Sequence, residues 1–455
     1  MKKYNNYKDS DVEWIGKIPS HWIMQRIDWV SKIVRGNTAF KKDELLDAGE
    51  YIALQYGKTY KVDVVDDSFN FYVNSEFFNE SQVTTKGDTI LISTSETVED
   101  LGHTCFYNNQ NVGLLGGEQI LLKPNRKFLH EKYLYHYSRQ FGSELRRYAR
   151  GLKVFRFNTS DLKQLFIAIP TLEEQLSIAN YLDNKTSQID HLISKKEKFI
   201  KLLEEERVAV INQAVTKGLD PKVPMKDSGV EWLGEIPEHW EVKRLKYIKS
   251  NLKNAFVDGP FGSNLKTEHF VENGDVYVID SGLITSGVFH LKREMKTITN
   301  EHFENVLRSE CKQNDIIIAK IGANFGMSGI LPQLDKPSLV SGNTLKLTVN
   351  EELYDLKLIH LQLLNLKTQG EIDLLVKGSA QPALSMGVMS DLPFVIPNTL
   401  NEQIKIRNYI LNQHSRIDNL ITKSNEEIDL LKEYKTALIS EVVTGKVDVR
   451  NEILN

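Results

Sequence analysis

The chain has 455 residues, of which 57 are Lys or Arg and 61 are Asp or Glu, giving a net charge of −4. This length suffices for two or three domains with complete cores. The near-neutral charge excludes a uniformly basic nucleic-acid coat, so any phosphate binding must use local basic patches.

Cysteine usage and hydropathy predict the compartment in which the protein is found. The two cysteines fit a reducing compartment and cannot build a Cys-rich zinc site. No apolar segment has the length of a membrane span, and the N-terminus lacks an apolar signal core. We therefore expect a cytoplasmic protein with no disulfide framework, metal site or membrane association.

The first motif along the chain contains two tryptophans. It reads VEWIGKIPSHW at 12–22 and returns as VEWLGEIPEHW at 230–240. Its His and Glu residues could act as ligands or as an acid–base pair. However, two Trp residues around a Gly turn and an Ile-Pro step are more typical of a tightly folded corner. We predict a docking element rather than a catalytic loop.

The first block, about 32–169, has the pattern of a mixed α/β domain. The apolar runs at 89–93 and 119–122 alternate with Gly-containing turns and predict strands. A predicted helix follows at 131–140. The block ends at 165–170, and the last residue of this segment, Pro170, just precedes the next predicted helix.

The most basic stretch of the chain overlaps the end of this predicted helix. It interleaves Phe141, Tyr148, Phe155 and Phe157 with basic side chains. Guanidinium groups bind phosphates and guanine edges, and aromatic rings stack on bases. A solvated helix face with core aromatics would show the same pattern, so in isolation both interpretations stand. The basic residues are Arg139, Arg146, Arg147, Arg150, Lys153 and Arg156.

A long stretch without internal Pro or Gly, 172–216, predicts a helix of coiled-coil length. One heptad phase gives it an apolar seam that is interrupted by Lys196 and Arg207. The seam consists of Leu182, Ile189, Ile193, Ile200, Leu203 and Val210.

A second copy of this helix is predicted at 400–444, 228 positions later. Its seam is interrupted at the equivalent places, by Ser424 and Lys435. Because polar interruptions recur in phase as well as apolar positions, we interpret the chain as an internal duplication. The second seam consists of Ile410, Ile417, Ile421, Ile428, Leu431 and Leu438.

The second block, about 246–394, contains a predicted buried strand at 315–319. The strand runs into a Gly-rich loop with Lys320 and Asn324 at its mouth. The Lys-Ser/Thr end of a phosphate-binding P-loop is absent. The two blocks match only in outline, so a repeated frame carries two different domains.

The order motif, block, helix, motif, block, helix has a geometric consequence. If the two helices pair antiparallel, each block lies where its helix begins, and the helices form a spacer of roughly 50 Å. Parallel pairing would crowd both blocks together. A rigid spacer of this length suits two DNA half-sites separated by unread base pairs.

On these motifs the whole chain resembles the specificity subunit of type I restriction–modification enzymes. The resemblance rests on the doubled Trp motif and on the start of each long helix. It also rests on GPFGS at 259–263, IIIAKIGANFG at 316–326 and GSAQPALS at 378–385. The helix starts share Pro170, Glu174, Gln175, Ile178 and Tyr181 with Pro397, Glu402, Gln403, Ile406 and Tyr409.

The first block departs from the family pattern. It lacks GPFGS, and Ser93-Thr94-Ser95 stands where the second block has Lys320-Ile321-Gly322. The resemblance implies an α+β fold with two target-recognition domains separated by an antiparallel coiled coil. Each domain reads one part of a split DNA target. The segments are 1–168, 169–218, 219–395 and 396–455, alternating recognition domain and long helix.

The resemblance also implies the partners. The repeated helices bind two methyltransferase subunits, and restriction subunits complete the assembly. The chain has no adenine-methyltransferase [DNS]PP[YF] loop, no S-adenosylmethionine pocket motif and no Walker A. It should therefore neither methylate nor cut DNA alone, and the resemblance implies that it binds double-stranded DNA. It would carry no cofactor itself, while its partners use S-adenosylmethionine, and ATP with magnesium.

Two alternatives remain at this point. A coiled-coil adaptor whose blocks bind proteins explains the near-neutral charge but not the arginine cluster. An autonomous enzyme in the second block has only Asp315, His269 and Glu268 to offer. Under the DNA-binding hypothesis, the first block's contacts are the six basic residues of the stretch from Arg139 to Arg156. The second block's contacts are Ser263, Lys266, Lys320, Asn324, Asn343, Lys377 and Gln381.

Overall fold

The computed structural model describes residues 2–38, 40–98, 100–151, 153–285, 287–291, 293–322, 324–376 and 383–452. The chain forms two compact units. Residues 1–196 with 425–455 make the first unit, and residues 197–424 make the second. Both combine sheets with helices, which confirms the predicted α+β class. Within the described residues no helix is both long enough and apolar enough to cross a membrane.

The first unit holds fifteen strands among its described residues. They are β1 Tyr7–Asp9, β2 Lys17–Pro19, β3 Ile23–Arg26, β4 Ser31–Arg35, β5 Tyr51–Leu54, β6 Val64–Val65, β7 Tyr72–Val73, β8 Val83–Thr84, β9 Thr89–Ile92, β10 Thr94–Ser95, β11 Thr104–Tyr107, β12 Gly113–Leu115, β13 Gln119–Pro124, β14 Phe155–Arg156 and β15 Phe166–Ile169. Its helices are α1 Ile27–Val30, α2 Tyr56–Thr59, α3 Glu131–Leu145, α4 Thr159–Leu162 and the first part of α5 Leu172–Lys217.

The second unit holds fourteen strands among its described residues. They are β16 Met225–Asp227, β17 Glu235–Pro237, β18 Glu241–Arg244, β19 Phe256–Asp258, β20 Val276–Ile279, β21 Ile284–Thr285, β22 Val288–Phe289, β23 Lys296–Ile298, β24 Glu310–Cys311, β25 Ile316–Ala319, β26 Ser328–Ile330, β27 Ser338–Val340, β28 Thr344–Leu347 and β29 Pro393–Ile396. Its helices are α6 Leu245–Ile248, α7 Asn300–Asn305, α8 Leu356–Thr368, α9 Glu371–Leu374, α10 Met386–Ser390 and the first part of α11 Leu400–Val443.

The main sheets of the two units have the same strand order, except that the first unit has one additional strand, β6, at the edge of its larger sheet. The first unit has β4-β13-β9-β11-β6 and β7-β5-β12-β8, and the second has β19-β28-β25-β26 and β23-β20-β27-β24. The central strands β9 and β25 are buried along their whole length, which explains their runs of Ile and Leu without polar alternation. The predicted strands at 89–93, 119–122 and 315–319 are confirmed.

The register of the sheets repeats as well. Gly113 lies opposite Ile52 in a parallel pair of the first unit, and Ser338 lies opposite Tyr277 in the second. Each residue of the second pair stands 225 positions after its counterpart. The sequence suggested that the blocks match only in outline. The structure extends the duplication through them, because backbone pairing persists where side chains have diverged.

The long helices pair antiparallel within each unit. In the first unit, the Nζ of Lys435 lies 2.7 Å from the Oδ1 of Asp190, and Lys196 pairs with Glu427. In the second, Arg207 pairs with Asp418. Residues later in one helix meet residues earlier in the other, so the antiparallel prediction is confirmed. The structure buries or half-buries all twelve predicted seam residues.

The polar interruptions of the seam have a physical explanation. Lys435 and Arg207 are equivalent positions of the repeat, and so are their partners Asp190 and Asp418. Three of the four breaks in the apolar seam, Lys196, Arg207 and Lys435, thus form interhelical ion pairs, while the fourth, Ser424, is buried and uncharged. Such pairs add little stability at a surface but fix which residues lie opposite one another.

The repeated Trp motif docks against the first turn of each long helix. The Nε1 of Trp22 donates to Glu174 at 3.2 Å, and the Nε1 of Trp240 donates to Glu402 at 3.0 Å. The Nε2 of the preceding His lies 2.9 Å from Glu174 in the first unit and 3.1 Å from Glu402 in the second. Both tryptophans are 0% exposed. The predicted docking corner is confirmed.

The glutamine that follows each of these glutamates attaches the helix to the recognition block. The amide Nε2 of Gln175 donates to the carbonyl of Pro170 at 3.0 Å, and its Oε1 accepts from the N–H of His130 at 2.8 Å. Gln403 makes the same bonds to Pro397 and Asp355, at 3.1 and 2.8 Å. The glutamine side chain of each Glu-Gln pair therefore satisfies backbone groups beside the start of the helix.

Candidate nucleic-acid interface

The basic stretch of the first unit begins on α3 and continues beyond it. This helix extends five residues past its predicted end, to Leu145, and a short 3₁₀ turn at Arg146–Tyr148 follows. Phe141 and Phe157 belong to the hydrophobic core and cannot stack on bases. The aromatic half of the predicted pattern is therefore structural at these two positions.

Arg139 differs from the other basic residues because it is half-buried and paired. It forms an ion pair with Asp63, and its guanidinium lies over the ring of Tyr135 at 5.3 Å. Burial alone would raise the pKa of Asp63, but Arg139, Lys435 and His103 together hold it below its ordinary value. The guanidinium is thus committed to an internal network within the first unit.

The remaining basic residues of the stretch are exposed. Arg147 lies 3.1 Å from the carboxylate of Glu144, and Arg150 lies 3.7 Å from that of Asp161. Arg156 lies on β14, which pairs with β10 directly after the buried strand β9. Arg146 and Lys153 are also exposed. The stretch therefore presents five cationic side chains to solvent, as a phosphate-binding surface requires.

In the second unit, Lys320 lies at the end of β25 and is 8% exposed. Its ammonium is 3.2 Å from Asp258 and 4.0 Å from the ring centroid of Phe261. Arg308, which is exposed, also reaches Asp258, at 3.3 Å. The carboxylate of Asp258 therefore organises two cations beside the GPFGS loop.

The other predicted contacts of the second unit fall in four settings. Asn343 is exposed, and its carbonyl accepts from the N–H of Lys320 at 2.8 Å, which places it beside the same strand end. Ser263 and Lys266 are exposed in the loop after Phe261. The Nδ2 of Asn324 donates to the carbonyl of Ser281 at 3.2 Å. Lys377 and Gln381 lie outside the described residues.

Strand ends at equivalent positions carry three residues that the sequence analysis did not include among the contacts, Arg35, Glu118 and Asp258. Arg35 ends β4 opposite Ile120, and Asp258 ends β19 opposite Leu345. Glu118 precedes β13 as Asn343 precedes β28. A repeat alignment carried through the blocks would have found them, because Arg35-Gly36 and Asp258-Gly259 each close a strand with glycine.

Gly36 and Gly259, which follow these strand ends, lie where the backbone leaves no room for a side chain. A Cβ on Gly36 would overlap the carbonyl oxygen of Gly116, and a Cβ on Gly259 would overlap the backbone of Ser341. Gly116 and Ser341 are themselves 225 positions apart. Each unit therefore needs glycine where two backbone segments meet at the strand end.

The residues considered for catalysis have structural roles. Asp315 is buried and accepts from the N–H of Lys312 at 2.7 Å. His269 accepts from the N–H of Lys266 at 3.0 Å, and its Nε2 is 3.9 Å from Glu268. Burial raises the pKa of Cys311 to about 12, which disfavours its thiolate. Among the described residues, no three His, Cys, Asp or Glu side chains are grouped to hold a metal.

A duplicated backbone frame that presents exposed cations on two chemically different edges is typical of proteins that recognise a nucleic-acid sequence in two parts.

The chain belongs to the family of the type I restriction modification DNA specificity domain, whose model matches residues 19–202 and 237–430. The two matches correspond to the two copies of the repeat. Membership confirms the predicted specificity-subunit resemblance and the role in DNA target recognition, which is non-catalytic in this family. It implies DNA and the modification and restriction subunits of such a system as partners in general.

Relatives span almost the whole chain. The type I restriction enzyme MjaVIII specificity subunit of Methanocaldococcus jannaschii is 24% identical over 441 residues, covering 96% of this chain and 95% of the relative. The EcoKI specificity subunit of Escherichia coli K12 is 22% identical over 251 residues, covering 54% and 52%.

Solved structures share the fold. The HsdS subunit from Thermoanaerobacter tengcongensis has a TM-score of 0.56 at 14% identity, with 94% of this chain and 98% of that chain covered. A chain from a type I R-M system, solved to explain complex assembly and conformational transition, has a TM-score of 0.66 at 14% identity, with 94% and 99% covered.

Proposed function

We propose that the chain recognises a bipartite DNA target, with one half read by each unit, and directs adenine methylation and restriction by partner subunits. The proposal is carried by one observation. The two units share sheet order and register but differ in the charge of their strand-end side chains. Two copies of one frame with unlike edges would recognise two unlike half-sites.

The division of labour follows the predicted segments. Residues 1–168 and 219–395 act as target-recognition domains, and residues 169–218 and 396–455 act as the helical spacer. In the first unit the exposed residues Arg146, Arg147, Arg150, Lys153 and Arg156 contact DNA, and Arg139 supports them from its ion pair with Asp63. In the second, the contacts include Ser263, Lys266, Lys320, Asn324, Asn343, Lys377 and Gln381.

Two methyltransferase subunits bind the repeated helices. The seam residues hold the helix pair together, so the partners would use outward-facing apolar side chains. Leu192 and Leu202 on α5, and Leu430 and Tyr434 on α11, are exposed and suited to this. Restriction subunits join the assembly. The partners supply S-adenosylmethionine chemistry and ATP with magnesium, in the cytoplasm.

A gel-shift series with the methyltransferase partner tests the proposal. Specific retardation of one bipartite sequence is expected, and equally weak binding of every sequence would contradict it. Replacing Arg146 and Arg147 with Glu should abolish DNA binding while assembly with the partner persists. Lys86→Glu with Lys127→Glu is the matched control, since both lysines are exposed in the same unit and the charge change is identical.

A further inference from the structure

Three positions at the strand ends are structurally equivalent in the two units. The N–H of Ser93 donates to the carbonyl of Glu118 at 3.0 Å, and the N–H of Lys320 donates to that of Asn343 at 2.8 Å. The adjacent strand ends with Arg35 in one unit and Asp258 in the other. We call these positions the edge triplet: Arg35, Ser93 and Glu118 in the first unit, and Asp258, Lys320 and Asn343 in the second.

The edge triplet keeps its backbone bonds and changes its chemistry completely. A cation stands where the other unit has an anion, a small hydroxyl where it has an ammonium, and a carboxylate where it has an amide. These three side chains lie together at one sheet edge, on backbone positions whose hydrogen bonds the two units share. The backbone positions are the same in the two units, while the side chains that they carry differ.

Each triplet forms one site. In the first unit, all three members line a cavity of about 120 Å³ together with Arg156. In the second, Lys320 lies 3.2 Å from Asp258, and Arg308 lies 3.3 Å from the same carboxylate. The groups therefore act at a common place rather than as scattered surface charges.

Glu118 adds an independent observation. Its φ of +64° lies in the left-handed region, which a side chain with a Cβ adopts only at a cost. Such conformations persist mainly at functional sites. Glycine or asparagine would adopt this φ at a lower cost than glutamate.

We infer that the two outer members of each edge triplet, Arg35 with Glu118 and Asp258 with Asn343, read base edges in the major groove of one half-site, while the buried Ser93 and Lys320 support them. Arginine donates to guanine O6 and N7, carboxylates accept from exocyclic amines, and asparagine pairs with adenine. Arg35 and Glu118 therefore suit a guanine–cytosine pair. Asp258, held by Lys320 and Arg308, suits an exocyclic amine, and Asn343 suits adenine. The inference rests on the proposed function that each unit reads one half-site.

Mapping of methylated sites tests the inference in cells that carry the full chain with its partner subunits. Arg35→Gln and Glu118→Gln should each relax one base pair in one half of the target by roughly tenfold or more. The other half should stay unchanged, which provides an internal control. Asp258→Asn should relax one base pair in the other half of the target and leave the first half unchanged. Glu13→Gln, at an exposed glutamate of the repeated corner, should change neither half.

The possible outcomes distinguish failure of the proposed function from failure of the inference about the edge triplet. A wild-type chain that directs methylation to no bipartite sequence overturns the proposed function. A bipartite wild-type target that survives all three triplet variants, or is lost uniformly in both halves, overturns the inference alone. If a Gln variant unfolds, Glu118→Gly decides the question. It should raise the unfolding midpoint by relieving the positive φ and still relax the same base pair.

Discussion

The docking corners and the strand-end edges are both duplicated, but they have diverged to different extents. Trp22 and Trp240 keep the same partner type, a glutamate in the first turn of a long helix. Arg35 and Asp258 keep only the backbone position. The comparison teaches that side chains are alike where both units meet the same helical frame, and unlike at the edges where we propose that each unit reads its own half-site.

The largest expected effect tests whether the two corners are energetically equivalent. Trp22→Ala and Trp240→Ala should each lower the free energy of unfolding by about 3–5 kcal/mol, because both rings are fully buried. Denaturant unfolding monitored by circular dichroism measures this. Trp29→Ala is the control, since Trp29 is 68% exposed and should cost less than about 0.5 kcal/mol. Unequal losses at the two corners would break the equivalence.

The glycines beneath the edges come next. Gly36→Ala and Gly259→Ala should each cost about 1–3 kcal/mol, because the added methyl group overlaps backbone that cannot move without disturbing the sheet. Thermal unfolding should show the loss. At Gly117 a Cβ would meet its nearest neighbour, the carbonyl of Thr38, only at 3.6 Å, so Gly117→Ala should be nearly neutral. A neutral Gly259→Ala would mean that the strand ends are not equivalent.

The two helix-start glutamates sharpen the comparison further. The side chain of Glu174 is 4% exposed, while that of Glu402 is 32% exposed. Glu174→Gln should cost about 1.5–3 kcal/mol, since it removes a charge-assisted bond in a buried place. Glu402→Gln should cost less than about 1 kcal/mol because solvent screens the interaction. Parallel urea titrations measure both, and equal losses would contradict the dependence on burial.

The smallest effect concerns pH. Burial lowers the pKa of His360 below its ordinary value, against the opposing effect of the Ser328 carbonyl. The folded second unit therefore prefers the neutral imidazole. The free energy of unfolding of this unit has its full value above pH 6.5, and it falls as the pH drops below 6.5 toward the lowered pKa of His360.

The measurement is urea unfolding at pH 7.5 and pH 5.5. Each unit of pKa depression contributes about 1.4 kcal/mol of pH-dependent stability. His360→Gln should flatten the profile, and His191→Gln, at an exposed site on α5, should leave it unchanged. Burial also lowers the pKa of His136 in the first unit, where Asp183 opposes it, so His136→Gln should flatten that unit's profile. A profile unaffected by His360→Gln would contradict the assignment.

The sequence predicted the frame well for physical reasons. Heptad spacing, phase-matched interruptions at Arg207 and Lys435, and a doubled Trp motif are local signals that tertiary contacts do not override. The buried strands β9 and β25 were also visible, because continuous apolar runs bounded by turns have few alternatives.

The candidate site was harder to predict, because exposure and pairing are tertiary properties. Arg139 belongs to the same basic run as Arg147, yet it pairs with Asp63, which is 76 positions away along the chain. Lys320 is only 8% exposed, beside an aspartate that no local motif connects to it. The positive φ of Glu118 is a property of the folded backbone that its sequence neighbours did not reveal.

One domain-exchange measurement tests the central claim most directly. A chain in which the recognition block 249–392 of the second unit also replaces block 31–165 keeps both corners and both long helices. Sites methylated with its partner subunits should consist of two copies of the half-site read by the second unit. A folded, partner-bound exchange chain that still directs methylation to the original unlike half-sites would contradict the account.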